Sequence, residues 1–187
     1  NNNTSLPHFF SVDNWQQTLL TQKISDEFGL TFVVKTAGDS YQSLNPVVNT
    51  GQTLIVPLNY PKAPEVNSIL DSYHVEYSDL KKWQVAPFNT RLLAEKGVRF
   101  ALVPGDNKKG LTTFLSDLRK AVTHGLSEQT ALAALTTVPA TILKRRDIGH
   151  LEKGARADFI AFDQPIFNDK AQLKDSWVYC ERLVINP

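Results

Sequence analysis

GLSEQTALAALTTVPATILKRRDIGHLEKGARADFIAFDQPIF, residues 125–167, changes character part-way along. Before Gly149 it reads as helix. Ser127 is a capping residue for a segment running through Leu135, and Pro139 opens a shorter helix to about Lys144. From Gly149 onward the helical spacing stops. GHLEKGARADFIAFD and the later DSWVYCERLVI alternate apolar and polar residues, as strands with one exposed face do. A boundary therefore falls near Gly149 and divides the chain into residues 1–148 and 149–187.

Working back from residue 125, short apolar runs alternate with helical patterns. Leu111, Phe114, Leu115, Leu118, Ala121 and Val122 recur three and four residues apart and predict a helix. Before it, Arg99–Val103 (RFALV) reads as a strand. Short helices are expected over Leu80–Val85 and Thr90–Lys96, behind a long loop that carries Pro61 and Pro64. Thr53–Leu58 (TLIVPL) is apolar on both faces, the mark of a strand covered on two sides. A helix is expected from Ser40 to about Val48, and Thr31–Lys35 is a further strand. Nearest the start, His8–Ser11 reads as a strand. Asp13 would cap a helix carrying Trp15, Leu19, Leu20, Ile24 and Phe28 on one face, with Gly29 as its stop. Strand and helix in this rhythm imply parallel strands joined by right-handed crossovers. From pattern alone, half of a (β/α)8 barrel and a small open α/β sheet both remain open.

Composition removes several classes of function. The chain has 187 residues, 42% of them hydrophobic, and its 20 basic and 19 acidic residues leave a net charge of +1. Nothing in that balance calls for nucleic acid or an anionic membrane as partner. No apolar run is long enough for a transmembrane helix. NNNTSLPHFF has neither the basic nor the apolar region of a signal peptide, and the compartment stays open. Cys180 is the single cysteine, so neither an internal disulfide nor a cysteine-based zinc site can form. AGDS and PGDNKKG lack the glycines and the GK[ST] ending of a phosphate loop. KRRD, Lys144–Asp147, reads as a solvated charge run, and Trp15, Trp83 and Trp177 as core or interface anchors.

Two stretches settle the choice of fold class. Gly125, Leu126, Ser127, then Ala131, Leu132 and Thr136, then Pro139 and Ala140 stand in one order. Gly149, Leu151, Glu152 and Gly154 follow, and then Ala157 and Asp158 before an apolar strand. Together these resemble the end of amidohydrolase-superfamily proteins of the imidazolonepropionase-like and dihydroorotase-like branches. EFGLTFVVKTAGDSY resembles that family's fifth helix and sixth strand, and LLAEKGVRFALVPGD its seventh helix and eighth strand. The resemblance implies a partial (β/α)8 TIM barrel, strands five to eight with their helices. In that register His8–Ser11 is the fifth strand, Thr31–Lys35 the sixth, Thr53–Pro57 the seventh and Arg99–Val103 the eighth. The C-terminal strands would belong to a small β-sandwich, with Gly154 in a tight turn between two of them.

The resemblance also implies a chemistry. Complete members hydrolyse C–N bonds other than peptide bonds, cyclic amides among them, through water activated by a divalent, zinc-type metal. Their ligands stand at the C-terminal ends of strands: a His-x-His on the first, histidines on the fifth and sixth, and an aspartate on the eighth. This sequence departs from that pattern. Ser11 stands where the fifth strand would offer histidine, and Lys35 and Thr36 end the sixth. Pro104, Gly105 and Asp106 replace the expected Thr-Asp. Asp106 is either the catalytic aspartate displaced by one residue or part of a Gly-Asp-Asn turn. Lys35 is either a lysine extending its ammonium to water or a contact for an anion or carbonyl in place of a lost ligand. The candidates are thus Asp106 as catalytic residue and Lys35 and Ser11 as substrate-binding residues, with no metal ligand and no cofactor in this chain. His8, His74, His124 and His150 have no metal-ligand spacing.

Two functions follow as expectations. One is part of an amidohydrolase-like enzyme, the chain alone being inactive. The other is a catalytically degenerate amidohydrolase-like module with a binding or assembly role. Either expects a partner for the half-barrel, the missing N-terminal half of the same protein or a second copy. A small-molecule substrate is expected if the protein is active.

Overall fold

The computed structural model describes residues 6–66, 68, 73, 75–106 and 110–183. His74 and residues 107–109 of PGDNKKG lie outside the described residues. Four strands, β1 (His8–Ser11), β2 (Phe32–Lys35), β3 (Thr53–Leu58) and β4 (Phe100–Pro104), form one parallel sheet in the order β1-β2-β3-β4. Helices α1 (Trp15–Phe28), α2 (Leu44–Asn49), α3 (Tyr77–Val85), α4 (Asn89–Glu95) and α5 (Gly110–Thr123) separate or follow them. Then come α6 (Glu128–Leu135) and α7 (Thr137–Ile142). This is the strand–helix alternation expected from the sequence.

Residue parity decides which face of the sheet is covered. Lateral partners in parallel strands share a face. Phe32, Val34, Leu54, Val56, Phe100 and Leu102 form the covered face and are all buried against the helices. The residues between them form the other face. There Val33 and Ile55 are half-buried and Phe9 is 52% exposed, although Ala101 and Pro57 are buried. TLIVPL is therefore covered mainly on one side, not on both as its composition suggests.

Several helix expectations need correction. Asn14, not Asp13, caps α1, its Oδ1 accepting the Gln17 amide at 3.0 Å. Thr18 and Thr21 are the fully buried residues of α1, while Leu20 and Phe28 are largely exposed. The Thr21 hydroxyl donates to the Thr18 carbonyl at 2.7 Å and so brings no bare polar group into the core. The expected helix from Ser40 is a 3-10 turn, Ser40–Ser43, running into α2. Leu111 lies at the start of α5 facing water, and Leu118 and Ala121 are that helix's buried contacts. Trp83 is half exposed, whereas Trp15 packs on the core. As expected, Ser127 caps α6, accepting the Thr130 amide at 3.1 Å.

Gly149 is a fixed point where the chain leaves the helices. Its φ is +84°, and a Cβ there would stand 2.6 Å from the Thr136 carbonyl oxygen. Only glycine lets the chain pass so close to α7. Beyond it, β5 (Phe159–Phe162), β6 (Leu173–Val178) and β7 (Glu181–Leu183) form an antiparallel sheet in the order β5-β6-β7. Gly154 occupies a turn leading into β5, not one between two strands. Phe159 stacks on Trp177 at 5.8 Å. Arg119 of α5 donates to the Ile166 carbonyl at 3.0 Å and ties this sheet to the α/β layer.

The β6–β7 hairpin turns on Tyr179 and Cys180, both with positive φ, which is costly for residues other than glycine. Neighbouring groups hold it. The Asp158 carboxylate accepts the Tyr179 amide at 2.7 Å, the Ala157 carbonyl accepts the Cys180 amide at 3.3 Å, and Arg156 lies 4.3 Å over the Tyr179 ring. Arg156 pairs with Asp158 and, with the Tyr179 amide, holds that carboxyl below its ordinary range. A lowered folded-state value means the contribution is present above the unfolded value and is lost as pH falls through the folded one. Asp158→Asn should speed hydrogen exchange at the Tyr179 and Cys180 amides while leaving β1–β4 protected; unchanged exchange would show that the turn holds itself.

Candidate functional site

Parallel α/β sheets carry ligands at the C-terminal ends of their strands, where the connecting loops leave room. Here that edge begins with Ser11, Lys35, Leu58 and Pro104. Ser11 is the lateral partner of Lys35, and Lys35 of Ile55, so all three stand on the open face. Asp106 follows β4 by two residues. Its carboxylate and the Lys35 ammonium form an ion pair. The fold thus brings together all three candidate residues, Ser11 and Lys35 as sheet neighbours and Lys35 and Asp106 in direct contact. The Lys35 ammonium, about a third exposed, thus faces a carboxylate of its own chain as well as water.

The loop after β2 shapes this mouth. Thr36 donates its amide to the Ile55 carbonyl at 2.9 Å, the last bond between β2 and β3. Pro57 is next on β3 to face that side, and it has no N–H to continue the ladder. The chain after β2 crosses here. Gly38, with φ +83°, passes so near that a Cβ would lie 2.9 Å from the Pro57 carbonyl oxygen. Asp39 then accepts the Trp15 amide at 3.0 Å, at the start of α1, where the helix dipole favours an anion. Burial outweighs these bonds and raises the Asp39 carboxyl above its ordinary range. Asn89 accepts the Tyr41 amide at 2.8 Å and fixes the 3-10 turn to α4.

None of Gly38, Asp39 or Asn89 stood out in the sequence. The course of TAGDS depends on Pro57, which is distant in the chain. Tyr60 was also missed. Burial raises its hydroxyl well above the ordinary tyrosine value, and the Lys120 ammonium lies 4.9 Å over its ring.

The described histidines, His8, His124 and His150, are held away from Lys35 and Asp106. His8 is at the opposite end of β1, edge-on to Phe32. Its neighbours border a concavity of about 380 Å³ that includes Val33, Arg99 and Thr141 at the N-terminal ends of the strands, away from Lys35 and Asp106. The His124 ring nitrogen Nδ1 is 2.7 Å from the Lys120 carbonyl, and His150 Nδ1 is 3.1 Å from that of Ile148. KRRD is largely exposed, as expected, and within it Arg145 donates to Asp147 at 2.7 Å and holds that carboxyl down to about 2.

A tightly held divalent ion needs several converging nitrogen, oxygen or sulfur donors. Among the described residues no three of His, Cys, Asp and Glu come together. The carboxylate at the mouth, Asp106, already faces an ammonium. These residues do not by themselves fit a metal.

The model of the amidohydrolase family matches residues 84–182, more than half of the chain. The chain belongs to the amidohydrolase family. The match takes in β4, Asp106 and the C-terminal sheet as far as Arg182; Ser11 and Lys35 precede it. The family is generally metal-dependent. No curated protein matches the sequence. Solved structures share the fold. An amidohydrolase from Thermotoga maritima MSB8 superposes with a TM-score of 0.76 at 21% identity, over 97% of this chain and 44% of that one. Another amidohydrolase gives 0.65 at 13%, over 95% and 44%. A prolidase solved with N-methylphosphonate-L-proline gives 0.59 at 14%, over 94% and 44%. This amidohydrolase chain spans less than half the length of each. The neighbours bear out an α/β fold consistent with a partial TIM barrel.

Both ends of the Lys35–Asp106 pair are at least a third exposed. Exposed pairs contribute about 1 kcal/mol at most. Lys35→Met should lower the urea unfolding free energy by no more than about 1 kcal/mol; a larger loss would make the pair a structural element instead of a site.

Proposed function

We propose that this chain supplies strands five to eight and the following sandwich strands of an amidohydrolase-like protein that hydrolyses C–N bonds other than peptide bonds. The observation that carries this reading is the meeting of Ser11, Lys35 and Asp106 at the C-terminal edge of a parallel sheet in a chain of that family. In this register β1 to β4 are the fifth to eighth barrel strands. Residues 1–148 are the half-barrel and residues 149–187 are one layer of the sandwich. The substrate is a small amide or cyclic amide.

Each residue has a role in this reading. The Asp106 carboxylate takes a proton from the attacking water and returns it to the departing nitrogen. The Lys35 ammonium draws the substrate carbonyl or an attached anion toward the mouth, and the Ser11 hydroxyl bonds beside it. A zinc-type ion in complete members would need ligands beyond the described residues. The open face of the sheet, with Phe9 exposed and Val33 and Ile55 half-buried, calls for a complement: the other half of the same barrel or a second copy of this chain. Neither nucleic acid nor membrane is needed, and no described helix is long and apolar enough to cross a membrane.

The Lys35–Asp106 pair favours a second reading, a module that keeps the scaffold and has given up hydrolysis. Turnover separates the two. The full-length protein should hydrolyse members of a panel of N-acyl and cyclic amides, and Asp106→Asn should lower kcat/KM by about 100-fold or more with an unchanged melting temperature. Absence of turnover across the panel would leave the degenerate module. The complement has its own measurement. This chain alone should sediment as an oligomer or complex, and a micromolar monomer that binds no hydrophobic dye would show that its sheet needs no cover.

A further inference from the structure

We infer that the Lys35 ammonium takes the place of a divalent ion beside Asp106, so that the mouth carries a fixed organic cation and Asp106 is not a metal ligand. This rests on reading Asp106 as the aspartate of the eighth barrel strand. The argument is geometric. Lys35 ends β2, Asp106 follows β4, and β3 runs between them. Two strand spacings separate the backbones, roughly 10 Å. An imidazole at position 35 would be too short to touch the Asp106 carboxylate, and a shared ion would have to join them. Four methylenes carry an ammonium across the same gap, and the Lys35 nitrogen contacts Asp106 directly.

The register sets the span of that crossing. Lys35 is the lateral partner of Ile55 on the open face, and β3 is the one strand between it and β4. The result satisfies Asp106 electrostatically and places a positive charge where a dication would have to sit. Two cations cannot share that position without strong repulsion, and the donors on hand do not offset it. The lysine charge also differs in kind from a metal's. It offers hydrogen-bond donors to a carbonyl or carboxylate oxygen but no open coordination position for water.

Zinc binding to the full-length protein, followed by calorimetry and by melting temperature, tests this apart from catalysis. In the wild-type background Asp106→Asn should leave zinc affinity unchanged. Lys35→His should raise zinc affinity by about tenfold or more, and adding Asp106→Asn should abolish the gain. Lys35→Arg keeps the cation and should gain nothing. Loss of about tenfold or more in zinc affinity on Asp106→Asn alone would overturn the inference, as would a Lys35→His protein with unaltered affinity. Because binding is read separately from turnover, a hydrolase that fails this test remains a hydrolase with a metal at Asp106. A protein that passes it without turnover is the degenerate module.

Discussion

The parallel pairing of β1 to β4 imposes a two-sided geometry on everything else. Side chains alternate between faces, and lateral partners agree, so one face collects Phe32, Val34, Leu54, Val56, Phe100 and Leu102. Right-handed crossovers lay the helices over that face. At about 25 cal/mol per Å² of apolar surface, this burial is where the layer gains its stability. The opposite face collects Phe9, Val33, Lys35 and Ile55 and stays partly open. Its charged residue, Lys35, stands at the edge where loops form a mouth.

That edge owes its shape to one imino acid. Pro57 cannot extend the ladder toward β2, so the two strands part there. Gly38 then crosses close to the Pro57 carbonyl, and Asp39 comes to rest on the first amide of α1. One departure from regular pairing thus goes with the start of a helix and the course of a loop. The raised carboxyl of Asp39 reflects the cost of burying a charge in that joint, partly offset by the Trp15 amide.

The C-terminal sheet shows why a family motif can have a local cause. Ala157 and Asp158 each accept an amide from the Tyr179–Cys180 turn, whose left-handed backbone would otherwise be strained. Their place just before β5 puts a carbonyl and a carboxylate beside the next hairpin. Gly149 has an equally specific reason, the approach of its backbone to Thr136.

The amino-acid sequence by itself determined the strand–helix alternation, the change of character at Gly149 and the family, because periodicity and motif order are local properties of the chain. It also marked Ser11, Lys35 and Asp106, since each ends or follows an apolar run whose register the resemblance assigned. Exposure of Leu20 and Leu111 was not legible, because a helix stripe shows only that a face is apolar and not how far its neighbour reaches. The cap of α1 fell to Asn14 over Asp13 through backbone geometry that both residue types allow. Only the tertiary structure decided that Lys35 meets Asp106. They are 71 residues apart, and their contact depends on the strand order that sets β3 between β2 and β4. No local pattern encodes the distance between two strand ends; it is set by the sheet that lies between them.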